Sequence, residues 1–384
     1  MKKILILTNI ASNYRKILWL KLLKSKFFDC SFAYGENTTS GIPQIKQDDI
    51  CNISNSSQFQ ILKNYWLKNK VLFWQSGALL IALKSDFSVI VFLGDFKCLS
   101  TWLSAAICRL RGIRVVFWGH GIYGNESKLK LFLRKAFYRL ADQHLLYERR
   151  AKKLMIAAGF KSEDLYVVFN SLDYDRHKAL RDQYRSLTKQ EVNPLFRDPS
   201  LPTLVFIGRL TSEKKLDLLL DASNIINCEN LLVNLVFIGD GPEREKLEKL
   251  GQKGMVDKWL HFVGACYSEE EIGRYLSVSD LCVSPGNVGL TAIHSLGFGT
   301  PVCTHGNLSS QMPEAESIID GYNGFYFKEN DVNDLVLGIK KWLLNNTDRE
   351  LVRERCFEVI DTYYNPDYQL TVFNRMAKND IPEL

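Results

Sequence analysis

The sequence predicts an α/β chain of two doubly wound, Rossmann-like domains facing across a cleft. Three observations carry that expectation. Continuous apolar runs of strand length alternate with stretches of helical apolar spacing, the alternation occurs twice, and a polar segment with three prolines separates the two series. Strands buried on both faces read as unbroken apolar sequence, the mark of a parallel sheet covered by helices. At 384 residues the chain is comfortable for two domains, each with its own core.

In order along the chain, "KILILTN" is a buried strand, "NIASNYR" a polar loop and "KILWLKLLKS" a helix. "FDCSFAYG" and "SVIVFLGD" are further strands, "TWLSAAICRLRG" a helix closed by Gly112, and "IRVVFWGHG" another strand; "YRLADQHLLYE" and "DLYVVFNSLD" continue the series. The start "MKKILILTNI" imitates a secretion signal, but its apolar run is short and Asn9 and Asn13 follow, so a first strand explains it better. "VLFWQSGALLIAL" is too short to span a bilayer and contains Gln75. The prolines of "YRSLTKQEVNPLFRDPSLP" mark a linker, after which "TLVFIGRL", "LVNLVFIGDG", "WLHFVGAC", "DLCVSP", "TPVCTHG" and "NGFYF" are strands separated by helices, with a helical tail at the end. The expected boundaries are a first domain over 1–180, a linker over 181–202, a second domain over 203–365, and a tail over 366–384 packing back on the first domain.

Charge is divided unevenly. Residues 1–190 carry 31 Lys+Arg against 14 Asp+Glu, a net +17, which leaves 18 against 29, a net −11, for the remainder. A basic half suits an anionic membrane surface; nucleic acid is the weaker reading and is not expected as a partner, because zinc-finger, zipper and RNA-binding strand signatures are missing. In "ESKLKLFLRKAFYRL", residues 126–140, five cations interleave with Leu, Phe and Tyr, which fits either a membrane-surface helix or a solvated helix packed on its own domain. Nine cysteines without a C-x-x-C pair point to reduced thiols, not a disulfide framework or a zinc site. The expected location is therefore cytoplasmic, extending to the inner face of the cell membrane.

Two stretches bear chemistry. "FIGRLTSEKKLDLLL" puts Arg209 and Lys214 in a strand-to-helix loop, where unpaired N–H groups and two cations would cradle a diphosphate. "VSPGNVGLTAIHSLGFGTPVC" reads as strand, glycine-bearing loop, helix and loop, and it contains no Asp or Glu. Together with "LVFIGDGPEREKLEKL" and "EAESIIDGYNGFYF", these blocks resemble, in order and spacing, the retaining nucleotide-sugar glycosyltransferases of family 4, also called glycosyltransferase group 1. The first half matches more loosely through "TNIASNYR", "VVFWGHG", "ADQHLLYERRAKKLMIAAGF" and "VFNSLD".

The resemblance implies the two-domain GT-B architecture, with the acceptor on the first domain and the nucleotide sugar on the second. It implies that Arg209 and Lys214 neutralise the diphosphate leaving group and that His120, in "WGHG", faces the transfer as a third catalytic residue. Donor contacts fall on Gly208, on the loop Gly286, Asn287, Val288, Gly289 and Leu290, and on Glu316, with Glu314 as the competing choice. Asn13, Tyr14 and Arg15 match the acceptor side. The sequence departs from the family at two glutamates: Gly286 and His294 stand where the family has the acids that meet donor sugar and ribose. Gly286 can offer only backbone, whereas His294 can still hydrogen-bond ribose.

The implied activity is hexosyl transfer, with retention, from a nucleoside-diphosphate sugar to a saccharide or lipid-linked saccharide in surface polysaccharide synthesis, of the O-antigen, lipopolysaccharide or capsule kind. No cofactor and no essential metal are expected. The alternatives are a sugar-nucleotide 2-epimerase of the same fold and an NAD-dependent oxidoreductase using "GHGIYG", residues 119–124, as a G-x-G-x-x-G turn. "DYD", residues 173–175, resembles a metal-binding pair but fits a helix cap better.

Overall fold

The computed structural model describes residues 1–36, 43–45, 58–67, 71–228 and 233–384. It divides into two compact units, Met1–Leu172 with Pro366–Leu384, and Asp173–Asn365.

The strands of the first unit are β1 (Lys2–Thr8), β2 (Phe28–Gly35), β3 (Phe59–Leu62), β4 (Asn64–Leu67), β5 (Leu72–Gln75), β6 (Val89–Leu93), β7 (Arg114–Gly119), β8 (Gln143–Leu146) and β9 (Leu165–Val167). Seven of them form a parallel sheet in the order β3-β2-β1-β6-β7-β8-β9. Ile4, Leu5, Ile6 and Leu7 are all at most 2% exposed, which is why β1 reads as unbroken apolar sequence. β4 and β5 form a separate antiparallel hairpin, braced by Trp66 and Phe73 with ring centroids 4.8 Å apart. That pairing has no alternating signal in the sequence. The helix Pro366–Lys378 packs on this sheet: Phe373 meets Trp118 edge-on at 5.3 Å, and Gln369 donates to the Phe169 carbonyl at 3.0 Å.

A histidine in this core sets an acid limit on stability. His144 on β8 is 2% exposed, its Nδ1 is buried without a partner, and the rings of Phe117, Tyr138 and Phe160 surround it edge-on at 5.5–6.3 Å. Burial pushes its imidazole from 6.5 down to about 3. The folded chain holds the ring neutral while the unfolded chain takes up the proton. Stability is therefore full above about pH 6.5 and falls as the pH drops toward 3, by up to about 1.4 kcal/mol per pH unit. His144→Phe is expected to flatten the fall in Tm between about pH 7 and 5; equal falls in both proteins would show that another group sets the limit.

The second unit contains β10 (Thr203–Ile207), β11 (Asn234–Ile238), β12 (Leu260–Gly264), β13 (Leu281–Ser284), β14 (Val302–His305) and β15 (Gly324–Phe327), parallel in the order β12-β11-β10-β13-β14-β15. Several of its helices start on side-chain caps: Asp173, Ser268, Asp331 and Asp348 accept from the backbone N–H of Arg176, Glu271, Asp334 and Leu351. Asp173 of "DYD" is thus a helix cap.

Residues 181–202, expected as a linker, belong to this unit. The helix Tyr174–Gln183 is held by a two-pronged Arg181–Asp361 pair at 2.9 and 2.7 Å, and Tyr184, Asn193 and Phe196 are buried. Polar composition hid three side chains that anchor the segment. All eight described cysteines carry free thiols, and Cys51 lies outside the described residues. Among the described residues no helix is long and apolar enough to cross a membrane.

Candidate active site

In a doubly wound sheet the strand order reverses at one point, and the loops leaving the carboxyl ends of the two strands there diverge to open a crevice. In the second unit this point lies between β10 and β13. The loop after β10 carries Gly208, Arg209 and a single turn of 3-10 helix, Ser212–Lys214; the loop after β13 carries Gly286 to Leu290 and leads into the helix Thr291–Gly297. The structure thus brings together the two stretches singled out in the sequence, more than seventy residues apart.

Backbone contacts lock these loops to each other. Gly286 N–H donates to the Lys214 carbonyl at 2.9 Å, and Lys214 Nζ donates to the Asn287 carbonyl at 2.5 Å. A Cβ added to Gly286 would lie 1.9 Å from the Glu213 carbonyl oxygen. No side chain fits there, so the glutamate that the family resemblance places at this position is excluded by the neighbouring loop's backbone. Gly239, at the end of β11, is constrained in the same way, since its Cβ would fall 1.9 Å from the Gly208 oxygen. Gly208 N–H in turn donates to the Ile238 carbonyl at 3.0 Å.

Gln311 closes the far side of the 286–290 loop. Its Nε2 donates to the Gly286 carbonyl at 3.2 Å and to Thr304 Oγ1 at 2.8 Å, and its Oε1 accepts from Val288 N–H at 2.9 Å. Nothing in the sequence marks it, because a lone glutamine between two elements carries no spacing signal. Gly289 takes φ 54°, and the N–H of Ala292 turns back to its carbonyl at 3.1 Å. Thr291 Oγ1 donates to the Ile207 carbonyl at 2.8 Å, tying the helix to β10, and Leu290 stands at the helix cap.

The two cations differ. Arg209 is exposed and makes no side-chain hydrogen bond among the described residues, so its guanidinium projects into solvent. Lys214 is half-buried; desolvation lowers its ammonium from the ordinary value, with Glu314 and Glu213 acting in the opposite direction. Glu314 is 3% exposed and Glu316 half-buried; the charge of Glu314, with that of Glu213, favours the Lys214 ammonium, and burial, with Glu316 and Asp320, raises the Tyr326 phenol.

His294, expected on ribose, turns to Glu269 instead. Its Nε2 lies 2.9 Å from Glu269 Oε2, and His177 Nε2 lies 2.9 Å from the same oxygen. Neither partner is legible in the sequence, because the three residues share no local spacing.

The first unit has its own crevice at its switch point between β1 and β6. A cavity of about 370 Å³ is bounded there by Tyr14, Arg15, Asp95, His120, Tyr123 and Tyr147, among others. Arg15 donates to Tyr147 Oη at 2.5 Å and lies 4.4 Å above the Trp118 ring. Asn13 N–H is used by the Pro43 carbonyl at 2.9 Å, and its side chain is exposed. The Nδ1 of His120 is buried with no partner. Burial, reinforced by Arg15 and Arg134, pushes the His120 imidazole down to about 4, so the ring is neutral near pH 7.

"GHGIYG" does not present a phosphate-binding turn. Tyr138 Oη accepts from Gly121 N–H at 3.0 Å, and the Glu126 carboxylate accepts from Tyr123 and Gly124 N–H at 2.8 Å each. An internal carboxylate, itself paired with Arg134 at 3.1 Å, already holds the place of the anion. This removes the NAD-binding alternative. Arg134 is correspondingly buried, as are Phe137 and Tyr138, whereas Lys128, Leu129, Lys130, Phe132 and Leu133 of the same helix, Lys128–Tyr138, are exposed. One face of that helix packs on its own unit, and the other presents cations with Leu129 and Phe132 at 70% and 67% exposure.

Residues 188–358 match the family model described as glycosyl transferases group 1. A sulfoquinovosyl transferase of Arabidopsis thaliana is 26% identical over 59% of this chain, and the chain spans 42% of that relative's length. Among solved structures, a lipopolysaccharide outer core galactosyltransferase aligns with TM-score 0.67 at 15% identity, covering 97% of this chain and 98% of its own. HepE of Anabaena, in complex with UDP, aligns with TM-score 0.69 at 15% identity, covering 98% and 99%. These likenesses establish the GT-B fold over nearly the whole chain.

Proposed function

Because residues 188–358 match the family model of the glycosyl transferases of group 1, we propose that the chain moves a hexosyl group from a nucleoside-diphosphate sugar, held at the β10/β13 switch point, to a saccharide bound by the first unit. The observation that carries this reading is the Lys214 bridge: a partly desolvated ammonium that joins the two loops of the crevice beside an uncommitted Arg209. UDP is the favoured nucleotide, since the similarly folded Anabaena protein is known in complex with it.

Departure of the nucleoside diphosphate builds negative charge on the phosphate oxygen that leaves the sugar. Fixed cations in a low-dielectric crevice stabilise that charge more than water does. The acceptor hydroxyl attacks the anomeric carbon on the face the diphosphate leaves, its proton passes to a donor phosphate oxygen, and configuration is retained. No enzyme carboxylate takes that proton, which agrees with a donor loop that has no acid. Loop backbone from Gly286 to Leu290 and the carboxylate of Glu314 or Glu316 orient the donor. His120, neutral at pH 7, lines the first unit's cavity and presents its ring there to a sugar hydroxyl, with Tyr14, Arg15 and Asn13 on the acceptor side.

The acceptor is proposed to be lipid-linked, as in surface polysaccharide assembly, a setting compatible with the likeness to a lipopolysaccharide core enzyme. The exposed Lys128, Leu129, Lys130, Phe132 and Leu133 would rest on an anionic membrane surface, cations toward headgroups and apolar side chains toward acyl chains.

The test is a screen of nucleotide sugars for thermal stabilisation, followed by transfer to a lipid-linked saccharide carried in anionic or neutral vesicles. The expected result is a Tm rise with at least one donor, transfer dependent on acceptor, and vesicle binding that weakens with salt. Stabilisation by no nucleotide sugar would overturn the donor assignment. Donor consumed to a free isomerised sugar without acceptor would identify the epimerase, and vesicle binding indifferent to anionic lipid would remove the membrane reading.

A further inference from the structure

We propose that His177, Glu269 and His294 form a divalent-metal site, suited to zinc, that ties the first helix of the second unit to the helix behind the donor loop. The three ligand atoms, two imidazole Nε2 and one carboxylate oxygen, lie within 4.8 Å of one another, with each Nε2 2.9 Å from Glu269 Oε2. Around a tetrahedral zinc with bonds of about 2.0–2.2 Å, ligand atoms stand about 3.3 Å apart, so small side-chain adjustments seat the ion.

The geometry is convergent. The two imidazole rings are stacked 4.9 Å apart and 7° from parallel, which aims both Nε2 edges at the same carboxylate. Each ligand comes from a different helix, Tyr174–Gln183, Glu269–Val278 and Thr291–Gly297, so the set is held by rigid elements. Phe298 closes one side, 4.9 Å from the His177 ring and 5.8 Å from the His294 ring. The side chains of His177 and His294 are 5% and 13% exposed, while Glu269 at 28% leaves a face open to a water as fourth ligand.

Two imidazoles and one carboxylate suit zinc among the common divalent ions. Nickel and copper bind such donors too, whereas magnesium and calcium call for oxygen ligands. Binding replaces the two Nε2–H···O bonds by metal bonds: each ring moves its proton to Nδ1, and the carboxylate binds as the anion it already is. The site is structural and makes no contact with the cation pair of the transfer reaction, so its failure and that of the proposed activity are separable.

The experiment uses the full chain, stripped with chelator, titrated with zinc chloride by calorimetry and then with cobalt(II) for its visible spectrum. One zinc per chain is expected, with a rise in Tm, and a cobalt spectrum of nitrogen and oxygen ligation. Glu269→Gln, which keeps the shape of the side chain, and His294→Asn are each expected to weaken zinc binding more than about 10-fold, whereas His261→Gln leaves it unchanged. Less than one zinc per chain, a thiolate-to-cobalt charge-transfer band, or wild-type affinity in both folded variants would overturn the assignment.

Discussion

Arg209→Ala is expected to lower kcat for sugar transfer by about 10²–10³, the scale seen when one charge-stabilising donor is removed from a transition state, with Tm unchanged within about 2 °C. The reason for this separation is structural: Arg209 is exposed and makes no side-chain hydrogen bond among the described residues, and its one electrostatic effect there falls on the exposed Glu213. Lys214→Ala should behave differently. It removes the second cation and also the bond to the Asn287 carbonyl, which joins the two crevice loops. Losing a charged hydrogen bond to a carbonyl costs about 1–3 kcal/mol, so both Tm and kcat should fall. Steady-state kinetics and melting curves on the two variants decide the matter. Undiminished transfer in either folded variant sinks the cradle assignment, and a large loss of stability in Arg209→Ala would show that its side chain has a structural partner.

Gly286→Glu, which restores the acid of the family pattern, is expected to damage the enzyme. The added Cβ would sit 1.9 Å from the Glu213 carbonyl oxygen, and 2.8 Å from the carbonyl carbons of Glu213 and Lys214. Backbone cannot rotate aside as a side-chain tip can, so the 213–214 loop must shift and carry Lys214 with it. Overpacking of this kind costs about 1–3 kcal/mol, several degrees in Tm for a unit of this size. A displacement near 1 Å at a charge-stabilising group costs on the order of 10²-fold in rate. Gly286→Ala should show most of the same loss, because the clash begins at Cβ. Full transfer in Gly286→Glu would show that the loop yields and that the glycine is incidental.

This result reverses how the missing acids are understood. From residues alone, Gly286 looks like a lost ligand; in the fold it is a packing requirement, since the loop after β10 occupies the space where a side chain would begin. His294 likewise looks like a substitute for a ribose-binding acid, but its Nε2 is directed at Glu269. Both positions were identifiable as departures. Their causes were not, because each cause is a residue distant in the chain, Glu213 for one and Glu269 for the other.

Sequence by itself determined the two α/β units, the strand-loop-helix placement of Arg209, Lys214 and the 286–290 loop, and the basic helix at 128–138. Those features rest on local periodicity and on short-range chemistry: strands buried on both faces must be apolar throughout, and a loop between strand and helix is where glycine and cations gather. Only the tertiary structure decided which elements face one another. It placed residues 181–202 inside the second unit through Arg181–Asp361, filled the GHGIYG turn with Glu126, and paired His294 with His177 around one carboxylate oxygen. Apart from the Glu126 turn, which is local, these contacts join residues far apart in the chain, and the strand order that sets β10 beside β13 follows from how the crossovers wind and leaves no periodic trace in the residues themselves.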